Sequence, residues 1–489
     1  MLIPLELPPG VYRNGTELQS AGRWRDASLV RWIDGTMRPV GGWTAKTAET
    51  VSTAPRGALA WQDNSADRWL ALGGSDYLNV MSSSGAISNI TPAGLIAGGE
   101  SATLNTGYGG GFYGAETYGT RRSEAAAFSE PVTWALDTWG EYLVACSPAD
   151  GKLYEWTLAT GTPAAAIANA PTGCEALVVT SERFLFALGA GGDARKVQWS
   201  DREDNTTWSP LATNEAGDFI LQTSGAIKLA RRTRGQTLIL TDQDAHTATY
   251  VGPPFVYGFD RVGTACGAIS RRCATEAEGT VFWMGDGSFH MFAGGSVQEI
   301  RSDVADYVFS GMNTAQRGKV YAVANTAFSE IWWFYPRGTE NDSYVVYNYK
   351  ENHWATGSMA RTAAVDRGVF RDPLWVDPDG NIYTQETGFN YAGGSIYAES
   401  GPISLGAGDQ VMDVTDLIPD ELTQGDVSAT FKTRFYPNDT EYTHGPYSMA
   451  APTSVRFQGR QVRMRIDSAR MVDWRVGVPR LEARPMGRR

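Results

Sequence analysis

One short pattern recurs along this chain and limits what it can fold into. An apolar run is followed by a turn rich in Gly, Asp or Asn, then by a second apolar or aromatic run. It reads RWLALGGSDYLNVM from Arg68, EYLVACSPADGKLYEW from Glu141, RFLFALGAGGDARKVQW from Arg183 and TLILTDQDAHTATYV from Thr237. TVFWMGDGSFHMF from Thr280 is the cleanest copy, and EIWWFYPRGTENDSYVVYNY from Glu330 and PLWVDPDGNIYTQ from Pro373 complete the set. Such turns permit the positive φ angles that tight hairpins need. Beyond a wider first gap, the copies start roughly 40–55 residues apart, close to the length of a four-stranded propeller blade.

The pattern predicts an all-β fold: a β-propeller of about seven blades (six to eight) followed by a β-sandwich-like C-terminal domain. Ser28 to Trp43, SLVRWIDGTMRPVGGW, reads as a possible eighth hairpin. Radial repetition buries each sheet against its neighbour and leaves short edges, whereas a row of small β-domains is the structural alternative. Phe282, Phe289 and Phe292 alternate in a way that suits packing between blades. Helical periodicity is sparse. In SDVADYVFSGMN, Ser302 is a candidate cap and Val304, Tyr307 and Val308 have helical spacing.

Three segments follow: 1–45, a closing or docking hairpin; 46–395, the propeller; and 396–489, the C-terminal β-domain. The propeller carries an insertion at about 93–131 that contains GGESATLNTGYGGGFYGAETYGTRR. It reads either as a surface excursion or as a contact arm, with Tyr108, Phe112, Tyr113 and Tyr118 as contact residues. In the last domain Val462, Met464 and Ile466 alternate with Arg463 and Arg465, as do Phe431, Thr433 and Phe435 with Lys432 and Arg434. The arginine face is either solvated or an interface for an acidic surface, such as a neighbouring copy.

Charge sharpens that contrast. Residues 456–489 hold ten Arg against Asp467, Asp473 and Glu482, a local +7, so the remainder of a −12 chain carries −19. An acidic body argues against nonspecific DNA binding, although not against a passage through which DNA slides. The opening MLIPLELPPGVY lacks a basic region before a long apolar run, and no stretch approaches the ~18 apolar residues of a spanning helix. These features predict neither a leader nor a membrane anchor. Cys146, Cys174, Cys266 and Cys273 are spaced for neither a disulfide framework nor a zinc site, and are expected to be reduced and buried.

No catalytic arrangement stands out. The four histidines, His246, His290, His353 and His444, have no HExxH spacing, and neither a G-x-S-x-G elbow nor a phosphate-binding loop is present. Asp377, Asp379 and Asn381 resemble the start of a calcium loop, but Gly388 stands where a bidentate Glu is required, so a plain turn is expected. SDREDNTTW, from Ser200 to Trp208, is a degraded sialidase-type Asp-box. The expectation is no enzyme, no cofactor and no metal.

The opening PPGVYRNGTELQSAGRWRDASLVRWIDGTMRPVGGW, from Pro8, resembles the N-terminus of a family of tail proteins from tailed phages. So do VQWSDREDNTTWSP from Val197, AGDFILQTSGAI, RVGTACGAISRR, VFWMGDGSFHMF, FKTRFYPNDTEYTHGPYSM and VRFQGRQVRMRI, which together span nearly the whole chain. The family looks like the nozzle, or tail hub, of short-tailed bacteriophages. The resemblance implies a structural virion protein, assembled in the host cytoplasm as a homo-oligomeric six-fold ring around the DNA channel. It implies contacts with the portal's adaptor, a tailspike or tail fibre and a needle or plug, and transient passage of double-stranded DNA. It brings no catalytic residues. A tail-associated propeller that binds a host-surface glycan is the alternative.

Overall fold

The structure is a computed structural model and describes residues 1–104, 128–406, 408–468 and 470–487. Each of the seven repeated hairpins forms the two middle strands of a four-stranded antiparallel sheet. The first sheet holds Ala58–Gln62, Arg68–Gly73, Leu78–Ser82 and Ile87–Asn89; the second Ala135–Trp139, Tyr142–Ser147, Lys152–Trp156 and Ala165–Ala166. The third comprises Ala176–Val179, Leu185–Leu188, Lys196–Trp199 and Gly217–Ile220, the fourth Ile227–Thr233, Gln236–Thr241, Asp244–Gly252 and Val256–Thr264. The fifth comprises Ala274–Ala277, Thr280–Met284, Phe289–Ala293 and Ser296–Ile300, the sixth Tyr321–Asn325, Glu330–Pro336, Asn341–Asn348 and His353–Ser358. The seventh takes Ala363–Val365, Leu374–Val376 and Asn381–Gln385 from late in the chain and its outer strand, Trp43–Thr50, from near the N-terminus.

The first strand of every sheet lies against the first strand of the next, and that of the seventh against that of the first. The sheets therefore form a closed, propeller-like ring. Large aromatic side chains fill the spaces between sheets, where burial of apolar surface and ring contact stabilise together. Trp69 meets Trp156 at 5.3 Å, Phe186 meets Tyr257 at 4.8 Å, Phe289 meets Trp333 at 5.1 Å and Trp332 meets Trp375 at 5.1 Å. Phe282 and Phe289 thus pack between sheets, as their alternation suggests.

The Ser28–Trp43 segment is not a further member of the ring. It makes a two-stranded hairpin, Val30–Ile33 with Thr36–Pro39, turning through Asp34 and Gly35, both at positive φ (51° and 74°). Nor is 1–45 a separate segment. Leu2–Pro4 and Trp24–Ser28 are strands of the C-terminal unit, each hydrogen-bonded into one of its sheets. Leu2–Pro4 pairs with Arg480–Gly487, which continues to Val411–Ile418 and Thr453–Gly459. Trp24–Ser28 pairs with Ile396–Ser400, in a sheet with Gln461–Ser468, Val427–Arg434, Tyr442–Ser448 and the short Ile403–Ser404. The two sheets enclose Val414, Ala429, Phe431, Val455, Phe457, Met464, Ile466 and Leu481, with Phe431 and Phe457 rings 5.3 Å apart.

The helix expected after Ser302 is one short turn pair, Ala305–Gly311, with Val304 at the cap position and no side-chain cap. Ser302 instead accepts a hydrogen bond from the Val304 amide, and stands two residues ahead of the cap position. The four cysteines are buried free thiols.

A buried ionic cluster ties hairpin to ring. Arg31 is 3% exposed and donates to Glu330 at 3.0 and 2.9 Å and to Glu386 at 2.9 and 2.6 Å. The two carboxylates come from the sixth sheet and from just past the seventh. Trp332 Nε1 and Asn325 Nδ2 also donate to them, and the guanidinium sits 3.7 Å from the centre of the Phe328 ring. Truncating one partner of such a set strands the opposing charges. Arg31→Met should therefore cost about 3–5 kcal/mol, read as a lower urea midpoint; an unchanged midpoint would refute the role given to this cluster.

Burial also holds His290, His353 and His444 below the usual imidazole range. Their folded forms resist protonation, so their contribution to stability is complete above about pH 6.5 and drains as pH falls through the lowered values. Thermal denaturation should show a lower Tm at about pH 5.5 than at about pH 7.5, and a smaller difference in His290→Gln.

Candidate functional site

The arginine face of the C-terminal unit is paired with carboxylates of its own chain. Its strands alternate, so Lys432, Arg434, Arg463 and Arg465 share one side of the sheet. Glu399, on the adjoining strand, is nearly buried and meets three of them: Lys432 Nζ at 2.9 Å, Arg465 Nη1 at 3.4 Å and Arg463 Nη2. Arg463 also reaches Glu441 at 3.1 Å and Glu17 at 3.5 Å, and Arg434 reaches Glu17 at 3.2 Å. Arg465 pairs with Asp467 at 2.8 Å and lies 3.8 Å from the centre of the Tyr397 ring. Despite the cost of burial, the surrounding cations hold the Glu399 carboxyl below its usual range. Glu17 and Glu399 arrive at this face from segments that strand periodicity cannot connect.

Tyr108, Phe112, Tyr113 and Tyr118, the expected contact arm, lie outside the described residues. The base of their insertion is anchored. Thr103–Leu104 pairs with Phe128–Ser129, and Gln316 both accepts from and donates to the backbone of Ala102.

Two further local patterns resolve into turns. Asp377 Oδ1 accepts from the Asn381 amide, closing the hairpin of the seventh sheet. Across Ser200 to Trp208, Asp204 Oδ1 accepts from the Thr206 amide, Asp201 Oδ1 accepts from the Glu215 amide and Trp208 Nε1 donates to the Asn205 carbonyl.

An apolar rim was not legible in the sequence. The outer hairpin of the fourth sheet projects Val251 and Phe255, 58% and 78% exposed. Phe219 and Ile220, on the outer strand of the third sheet, are also exposed, and Phe219 stacks on Phe259 at 4.5 Å. The one available signal was GPPF at a hairpin tip, where a polar turn is the norm.

The ring axis also gathers charge. First strands from around the ring, with the residues that precede them, enclose a cavity of about 90 Å³ lined by Gly57, Trp134, Arg231, Arg271, Arg272 and Tyr321, among others. Arg271 is neutralised by Glu130 and Glu175, the latter 2.9 Å from Nε. Arg56 is paired with Glu340 at 2.7 Å, and Lys319 with the same carboxylate at 3.2 Å. Arg272 differs. It is 9% exposed, donates from Nη2 to the Thr362 carbonyl at 2.9 Å and stands 4.8 Å from the centre of the Tyr321 ring. Its Nη1 has no partner, and neither does the buried Tyr321 hydroxyl. Burial, and then repulsion from Arg56 and Arg231, pull the Arg272 guanidinium down to about 9.

Charge reversal at Arg463 and Arg465 should act first on stability. Arg463→Glu with Arg465→Glu surrounds Glu399 with like charge and should lower stability by about 1–3 kcal/mol or more, seen as a reduced urea midpoint. An unchanged midpoint would mean that the face is only solvated.

No protein-family model and no curated protein matches the chain. Among solved structures, virginiamycin B lyase from Staphylococcus aureus is 9% identical, with a TM-score of 0.43 over 70% of this chain and 97% of that one. The Pan2 WD40 domain from Neurospora crassa is 8% identical, at 0.39 over 72% and 95%, and the AfRom2 CNH domain 7% identical, at 0.39 over 70% and 98%. At these values nothing about activity passes to this chain, and its architecture rests on its own sheets and their contacts.

Proposed function

We propose that this chain is a structural protein of a bacteriophage tail: a seven-bladed propeller fused to a β-sandwich, built as a nozzle subunit. Six copies would ring the DNA channel below the portal and adaptor, retain packaged DNA and conduct it during ejection. The observation that carries this reading is how the N-terminal region is woven. Within its first 50 residues the chain gives strands to both sandwich sheets, a hairpin locked by Arg31 and the outer strand of the seventh blade. A subunit stitched in this way moves as one block, as a pressure-bearing wall requires. The stretches that resemble phage tail proteins have structural roles in this chain. In one, Gly10, at φ +85°, lets the backbone pass so close to the sixth sheet that a Cβ would lie 2.7 Å from His353 Cβ. In another, Gly267 lies against the Asp242 carbonyl, where a Cβ would be 2.1 Å away.

The exposed rim of Val251, Phe255, Phe219 and Ile220 offers an apolar surface for subunit contact, and the net charge of −12 disfavours trapping of DNA. Light scattering on the purified chain mixed with its adaptor should give about six times the 53.0 kDa of one chain in addition to the mass of the adaptor. Val251→Asp with Phe255→Asp should reduce that assembly while the urea midpoint stays. Absence of the protein from purified virions would overturn the reading.

A further inference from the structure

We infer that the tip of the fourth sheet's outer hairpin is a knob, and that a cavity on the rim of the second sheet is the socket that receives it from a neighbouring copy of this chain. The inference rests on the ring-forming reading proposed above. The hairpin overhangs its sheet. Gln236–Thr241 pairs with Asp244–Gly252 only as far as Ala248, opposite Thr237, so residues 249–258 run on as a ribbon paired only with itself. Phe255 at its tip is the most exposed large apolar side chain among the described residues, and Val251, also exposed, flanks the turn. The tip is braced from below. The Tyr250 and Tyr257 rings are 5.7 Å apart, and Phe184 meets them at 5.8 and 5.3 Å. A braced, convex apolar tip loses little freedom on binding and calls for a concave receptor.

The chain carries such a receptor two blades away. Pro163, Ala165, Ala166 and Ile167, along the outer edge of the second sheet, line an open cavity of about 180 Å³ that Asn205 and Thr206 bound on the side of the third. An apolar cavity of roughly 150 Å³ takes up a benzene ring, so this volume suits one phenylalanine side chain. The charged group in its lining, Glu155, is already engaged, accepting from Asn205 Nδ2 at 2.8 Å. Two larger surface cavities present Arg271 with Glu130 and Glu175, or Arg301 with Glu299, and suit an apolar tip less. Knob and socket also match in composition. No Asp, Glu, Lys or Arg occurs from Thr247 to Phe259, or from Thr157 to Cys174, and interface cores are depleted in charge.

The two cannot meet within one subunit, because the third sheet stands between the second and the fourth. Residues 157–164 and 253–255 each join the third and fourth strands of their sheets, so both features lie on one side of the ring. Unlike patches on one molecule make a head-to-tail contact. Patches set two blades apart turn each copy relative to the last, so the series bends towards closure and does not run on as a straight filament.

The test is crosslinking of the full chain, mixed with its adaptor. Val251→Cys with Ala166→Cys places one thiol beside the knob and one on the socket, while the four natural cysteines are buried. A short bismaleimide should link copies into a ladder that passes two chains on a denaturing gel, and neither single variant should give one. Ala166→Trp fills the socket from an exposed position, so it should lose the assembly seen by light scattering and keep the urea midpoint. Assembly that persists in Ala166→Trp, with no ladder from the double variant, would overturn the socket and leave the tail reading standing. A wild type that stays a single chain beside its adaptor would overturn both. A ladder that stops at two would replace the head-to-tail contact with a reciprocal one. Binding to phosphatidylglycerol vesicles that Val251→Asp with Phe255→Asp removes, without any ladder, would give the tip to a bilayer and overturn the inference.

Discussion

A ring of sheets made from one chain has to be closed by that chain's own ends, and every other feature here depends on that closure. The closing pair is Asn381–Gln385 with Trp43–Thr50, which joins positions more than three hundred residues apart by backbone hydrogen bonds. Without it the seventh sheet would lack its outer strand and Asn381–Gln385 would stand as a bare edge. The Arg31 cluster sits beside this seam, and Glu386 directly follows the closing strand. Its carboxylate also accepts from the Gly41 amide, so one side chain touches both sides of the closure. A buried ion pair adds little net stability over an apolar substitute, but it punishes every misregistered alternative. That is the property a seam between distant segments needs.

The same logic governs the C-terminal unit. Its two sheets would be incomplete without Leu2–Pro4 and Trp24–Ser28, so the segment that closes the ring also completes the sandwich. Between these strands and the seam lies the hairpin, whose Met37 exchanges backbone hydrogen bonds with Val476 while its Arg31 holds the ring. Charge follows chain path here. The cations of Gln461–Ser468 meet Glu17 from the N-terminal region and Glu399 from the neighbouring strand. The +7 of the last 34 residues is thus partly answered inside the subunit.

The legible parts of this fold were those set by local chemistry. Seven hairpins could be read because a Gly- or Asp-rich turn between two apolar runs fixes its own geometry, and each became the middle of a sheet. The outer strands were less legible: Gly217–Ile220 and Ala165–Ala166 are short or half-exposed and lack alternation. The N-terminal strands were illegible for another reason. Nothing in LIP or WRDAS announces a partner that lies more than three hundred residues away. Arg463 and Arg465 were placed on the right kind of face, but periodicity does not reveal which acids arrive opposite. Phe255 was missed because turn composition is read as polar by default.

The axial arginines show how ring geometry itself gathers charge. First strands run side by side down the middle of a propeller, so residues spaced some forty positions apart converge there. Arg231 precedes a hairpin and Arg272 precedes a strand, and in sequence each is an unremarkable basic residue near a turn. Closure brings them together near Glu130, ahead of the second sheet, and Asp137, within it, acids already paired with Arg271, Lys228 and Arg232. A positive excess at the centre of an acidic chain is thus a product of topology.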